Sequence, residues 1–169
     1  MALSTDAVVG IALQVVDEQG PAALTLAAVA GRAGVATPSL YKHVRNLAEL
    51  RSLVSAKVLA ELADRCGEAV LGRSSDEAIR AFMLAWRAYA REHPHRYSAV
   101  IQPPNPALAA AGDRLVGVAL ATMRGYGLEG ADAIHATRCL RSAIHGFAVL
   151  ETEGGFGLPE KLDDSYDLL

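Results

Sequence analysis

The chain has 169 residues, 51% of them hydrophobic and 21% charged, with two cysteines and a formal net charge of −3. That length makes one domain or two small ones, with enough apolar sequence for a real core. Residues 1–19 lack a basic leader and carry Asp6, Asp17 and Glu18, which excludes a secretory signal, and no apolar run reaches spanning length without a charge or glycine, which excludes a membrane helix. Cys66 and Cys139 are far apart, without the paired spacing of a zinc or redox motif, so both are expected to be reduced thiols in a cytoplasm. The net charge conceals a division: residues 32–57 hold five basic side chains against one acid, whereas after Lys57 eleven face fifteen acids. A field that attracts phosphate is therefore confined to one part of the chain.

The first predicted helix runs from Thr5 to Gln19, with Val8, Ile11, Ala12 and Val15 on one stripe, and ends at Gly20-Pro21. Thr25 then caps a helix in which Leu26, Val29, Ala30 and Ala33 recur at helical spacing, and Gly34 stops it by tolerating a positive φ. Thr37-Pro38 is a cap followed by proline at the first helical position. A second short helix is predicted from Pro38 to Val44, on the order of 10 Å long, about what lies across a major groove. At 100° per residue Leu40 and Val44 point into the core, Pro38, Ser39, Lys42 and Arg45 point outward, and Tyr41 and His43 lie on the flanks. The outward set suits phosphates and base edges: two cations, the hydroxyls of Thr37, Ser39 and Tyr41, a histidine that donates to phosphate, and a proline ring that packs on a thymine methyl. Lys42 and Arg45 alone would be an ordinary solvated face; their placement after a tight helical turn is what points to DNA. Asn46 caps a long helix from Leu47 toward Val70, whose Leu50, Val54 and Val58 pack beneath the pair.

Gly72 interrupts, and Ser75 is expected to cap a helix from Asp76 to Glu92 bearing Ile79, Phe82, Met83, Trp86 and Tyr89. His93-Pro94 ends it, a short helix follows from Pro94 to Ile101, residues 102–106 form a stiff proline turn, and the next helix runs to Gly125. After a loop at Gly127–Gly130, a helix from Ala131 to Glu151 is apolar on more than one side and needs two partners. One side closes its own domain. The other, rich in small residues such as Ala143, Gly146 and Ala148, is expected to meet a second subunit through Leu140, Ala143, Ile144, Phe147, Leu150 and Phe156. Trp86, Tyr89, Tyr97, Met123, His135, Arg138 and Cys139 are large or polar groups on helices expected to converge, and they are the candidate lining of a small-molecule pocket. No strand pattern or repeat appears, so the fold is all-α.

Residues 4–57 resemble the DNA-binding domain of the TetR family of bacterial transcriptional regulators: LTLAAVA, then AGVATPSLYKHV, then RNLAEL agree in order and spacing over the whole three-helix unit. The resemblance implies a helix-turn-helix head over 1–57 and a helical ligand-binding and dimerisation domain over 58–169. By position, Thr25 resembles the family's phosphate-binding cap, Thr37, Pro38, Ser39, Tyr41 and Lys42 its reading contacts, and His43 its phosphate ligand. Two positions depart from the pattern. Ala27 stands where many relatives have a long polar side chain and Leu47 where a lysine commonly clamps the backbone, so both contacts are expected to be lost. The segment HGFAVLETEGGFGLP followed by LDDSYDLL resembles one class of TetR-family C-terminal domains, with a His-Gly pair and a Gly-Gly-Phe-Gly turn. In that class the tail continues into a dimerising helix, whereas this sequence stops at Leu169. Either it is shortened or dimerisation leans more on the helix holding Phe147.

The expectation is a cytoplasmic homodimer without cofactor or metal. Two reading helices about 34 Å apart read a palindromic operator on double-stranded DNA, and a small-molecule effector releases repression by tilting the long helix and altering their separation. An enzyme is the weaker alternative: His135 and His145 are too far apart on one helix to share a metal, His93-Pro94-His95 at a helix break suits a surface turn, and no acid is placed to orient His135 beside Cys139. A third possibility is a helical dimeric ligand- or protein-binding module that has lost specific DNA binding, at which Ala27 and Leu47 hint.

Overall fold

A computed structural model describes residues 3–100 and 106–169 of the chain. The α-helices are α1 (Thr5–Gln19), α2 (Leu26–Ala33), α3 (Leu47–Val70), α4 (Ser75–Glu92), α5 (Pro94–Ser98), α6 (Pro106–Met123), α7 (Gly130–Thr152) and α8 (Leu162–Tyr166), with short 3₁₀ segments at Pro21–Ala23, Thr37–Lys42 and Arg124–Tyr126. Among the described residues there is no strand, and the architecture is all-α, as the periodicity predicts. No helix among them is long and apolar enough to cross a membrane. The chain divides into two compact units, residues 1–61 with 95–112, and residues 62–94 with 113–169. Residues 102–105 of the expected proline turn, and the end of the expected short helix at Ile101, lie outside the described residues, and Pro106 begins α6.

In the first unit, α1 starts where Ser4 Oγ accepts a hydrogen bond from the Ala7 N–H at 3.1 Å and stops at Gly20. Its buried face takes in Val9, Leu13 and Val16 as well as Val8, Ala12 and Val15, whereas Ile11 of the predicted stripe is half-buried. Leu24, Val29, Ala30, Leu40 and Val44 join the same core, completed by Leu50, Val54 and Val58 of α3 at four-residue spacing. Arg96 of α5 forks onto Asp17, at 2.6 and 2.7 Å, and reaches Glu61 at 3.0 Å. The fully buried Ser55 donates to the Ala99 C=O at 2.7 Å. These bonds tie α5 to both α1 and α3.

In the second unit α4 packs along α7. Phe82, Trp86, Tyr89 and Ala90 of α4 are buried with Leu115, Ala119 and Met123 of α6 and with Ala133, Ile144 and Ala148 of α7. Ser75 does not cap α4 as expected. Ser74 occupies the cap position without a side-chain bond, and Ser75 Oγ donates instead to the Gly125 C=O at 3.0 Å, tying α4 to the end of α6. Arg87 is the buried charge of this unit. It bonds Glu151 through two N–H groups at 2.7 and 2.6 Å, meets Asp163 at 2.8 Å, and lies over the rings of Phe147 and Tyr166. The Glu151 carboxylate beside it raises the guanidinium pKa further above its ordinary value. Tyr166 donates to the Met83 C=O at 2.7 Å, which holds α8 against α4. The Gly-Gly turn has a geometric cause: Gly154 adopts φ +71°, and a Cβ on Gly155 would come within 2.8 Å of a Leu150 methyl.

Removing one partner of a buried ion pair strands the other. Arg87→Ala is expected to lower the stability seen in urea unfolding by about 3 kcal/mol, because Glu151 loses its bidentate partner. Arg80→Ala, which breaks only an exposed 2.9 Å contact with Asp167, should change it by less than about 1 kcal/mol. Burial pushes the Cys66 thiol up to about 12, so it is not a nucleophile at neutral pH. In Cys139→Ser protein the remaining thiol should react with a disulfide reagent only once denaturant unfolds the chain; fast reaction in native buffer would contradict this burial.

Candidate nucleic-acid interface

The turn that presents the reading segment is built from local bonds. Thr25 Oγ1 accepts from the Ala28 N–H at 3.1 Å and starts α2. Gly34, at φ +67° in the left-handed region, reverses the chain, and the Val35 N–H closes back on the Ala30 C=O at 3.0 Å. Beyond this reversal the chain does not form the α-helix predicted over Pro38–Val44 but a 3₁₀ segment, Thr37–Lys42, led by Ala36. Thr37 lies inside its first turn and makes no capping bond. The Ser39 N–H donates to Ala36 and the His43 N–H to Leu40, each at 2.8 Å. A six-residue stretch with proline at its second position has few i→i+4 bonds to gain, and the tighter winding satisfies its N–H groups while both apolar anchors stay inside.

That winding sets which side chains stand together. At three residues per turn, positions i and i+3 eclipse, so Pro38 aligns with Tyr41, Ser39 with Lys42, and Thr37 with Leu40. Leu40 is 0% and Val44 2% exposed, whereas Tyr41 is 56% exposed and Pro38 and Lys42 are also open to solvent. Thr37, Ser39 and His43 are half-buried. The His43 C=O accepts from Thr5 Oγ1 at 3.2 Å, which pins the end of the segment to α1. Thr25, at the start of α2, is exposed.

Asn46 caps α3 as expected, accepting from the Glu49 N–H at 2.9 Å. Glu49 reaches back to the Arg45 N–H at 2.5 Å and to its guanidinium at 3.0 Å, a reciprocal arrangement like a capping box. The Arg45 hydrogen bonds hold the Glu49 carboxyl below its ordinary pKa and raise that of Arg45. Arg45 remains exposed, but its charge is partly answered. Ala27 is exposed and Leu47 half-buried, and neither carries a polar group.

The expected pocket residues fall into three groups by position and burial. Trp86, Tyr89 and Met123 are buried in the second unit, while Tyr97 is buried in the first. His135, Arg138 and Cys139 are exposed, because α7 turns Ala133, Thr137, Ile144 and Ala148 inward and leaves those three on its other side. A cleft that sequence reasoning missed, of about 560 Å³, lies between α3 and α6 and is lined among others by Glu68, Leu71 and Val118. Of the residues expected at a subunit interface, Ile144 is fully buried within its own chain, so it backs the α7 surface and does not line it. Leu140, Ala143 and Phe147 are half-buried, and Leu150 and Phe156 are exposed. Phe147 stacks within its own chain on Phe156 and Tyr166, at 4.8 and 4.9 Å. Among the described residues no three His, Cys, Asp or Glu side chains gather as a metal site, and the His95 ring Nδ1 lies 2.9 Å from the Asp17 C=O.

Comparison with known proteins bears on both parts of the chain. Residues 11–51 match the family described as bacterial regulatory proteins, tetR family, and residues 79–169 match the tetracyclin repressor-like C-terminal domain. The chain is 36% identical over 156 residues to the uncharacterized HTH-type transcriptional regulator Rv0681 of Mycobacterium tuberculosis, covering 90% of this chain and 72% of that protein. Its fold is shared with BioQ solved with its natural double-stranded DNA operator, at 22% identity and a TM-score of 0.74 over 99% of this chain and 95% of that one. It is also shared with a TetR variant from Acinetobacter baumannii AYE in complex with minocycline, at 19% identity and a TM-score of 0.73 over 99% and 92%. With a head and a body that each match, and a regulator of similar sequence along most of its length, the chain belongs to the TetR family of bacterial transcriptional regulators.

Proposed function

We propose that the chain is a ligand-responsive repressor whose 3₁₀ segment reads one half of a palindromic operator, with a second copy of the chain reading the other half. The observation that carries this reading is the division of the segment: Leu40 and Val44 are sealed in the core while Pro38, Tyr41 and Lys42 stand in solvent. Tyr41 and Pro38 form the column for base edges and thymine methyls. Ser39, Lys42, His43, Thr37 and the Thr25 cap serve the phosphates, with Arg45 at the margin. BioQ, of the same fold, was solved with its operator, and the TetR variant with minocycline, which supports a DNA-bound state and a small-molecule-bound state for this architecture. Dimerisation falls to the α7 surface over Leu140, Ala143 and Leu150 together with Phe156 beyond the end of that helix, and the C-terminal domain is of the His-Gly, Gly-Gly-Phe-Gly class. A repressor of this kind works in the cytoplasm, where its DNA is.

The exposed Ala27 and half-buried Leu47 favour one other reading, a dimeric helical module without specific DNA binding, since both withhold polar groups from the duplex. One experiment separates the two. Genomic fragments bound by the protein at fixed salt are selected and sequenced, and the best is titrated with parent and Lys42→Ala protein over a salt series. The DNA-reading role yields a two-fold symmetric site, weaker binding by Lys42→Ala on every sequence, and a salt slope shallower by about one. Recovery of no common site, or an unchanged slope, supports the second reading.

A further inference from the structure

The cleft between the C-terminal half of α3 and α6 has about 560 Å³ of space, within the range of small-molecule sites. Two of its lining residues are glycines inside helices, Gly67 and Gly117. A glycine there weakens its helix relative to alanine, yet packing demands neither. A Cβ at Gly117 would meet nothing within 4 Å, and one at Gly67 only a Val118 methyl at 3.7 Å. Neither position puts a side chain into the cleft. Its walls are apolar at Val118 and at Leu71, which is left 73% exposed at the rim. Its charges are unbalanced. Asp64 is paired with Arg114, whereas Glu68 is exposed and has no ion-pair partner among the described residues, so the cleft carries a spare negative charge.

We propose that this cleft binds a small organic cation with an apolar body, the body lying against Val118 and Leu71 over the two glycines and the cationic head beside Glu68. An anion of the same size is disfavoured, because Arg114, the one cation lining the cleft among the described residues, is already answered by Asp64. The site lies wholly within the second unit and does not depend on DNA reading.

The test titrates benzyltrimethylammonium, and benzoate as its anionic counterpart, into the full chain without DNA, following backbone amide NMR signals. The cation should give saturable shifts confined to residues around 64–71 and 114–121, with no saturation by benzoate up to about 10 mM, well above the millimolar affinity expected for so few heavy atoms. Glu68→Gln should weaken the cation about fivefold, the contribution of one partly exposed ion pair. Gly117→Leu, which fills the hollow with a better helix former, should abolish binding while the spectrum stays folded. Absent saturation by the parent chain, equal binding by either variant, or equal binding of benzoate would overturn the site. None of these results touches the operator experiment.

Discussion

The presentation of the reading segment depends on the burial of Leu40 and Val44. These two side chains are sealed in the core of the first unit, and their removal from water, on the order of 2 kcal/mol each, fixes the rotation of the segment about its own axis. Once that rotation is fixed, Pro38, Tyr41 and Lys42 have nowhere to point but outward. The glycine turn before the segment and the Asn46–Glu49 cap after it determine where the segment begins and ends. The core determines which way it faces.

The second unit solves a different problem. Its α4 and α7 are held together by apolar burial and by one costly device, the Arg87 guanidinium enclosed by Glu151, Asp163 and two rings. Buried ion pairs add little net stability, yet they penalise any arrangement that leaves one partner alone. Arg87 therefore specifies the seating of α8 more than it strengthens it. Tyr166 adds a second directional bond at the same place.

Much of the head was legible in the sequence because its signals are local. The bounds of α1, the caps at Thr25 and Asn46, and the stop at Gly34 each rest on bonds reaching no further than five residues. The features that escaped are set from a distance. Whether Thr37–Lys42 winds as α or 3₁₀ depends on how its anchors fit a core contributed by other helices. Ser75 has a capping residue's chemistry, but its hydroxyl is taken by Gly125, fifty residues away. For α7, apolar residues on two sides left open which side turns inward, and the answer placed His135 and Cys139 in solvent. Size and polarity likewise gave no sign of the cleft between α3 and α6, whose lining includes two glycines.

The tight winding at Thr37–Lys42 bears on how this protein tolerates change. Each residue there advances the backbone by about 120°, so a single insertion or deletion turns every later side chain by a third of a revolution. Tyr41 would then be driven toward the interior and the anchoring leucine toward water. Chemical substitutions on the outer columns leave the frame intact, whereas a change of length dismantles it. The spacing of this segment is thus more constrained than the identity of any side chain it displays.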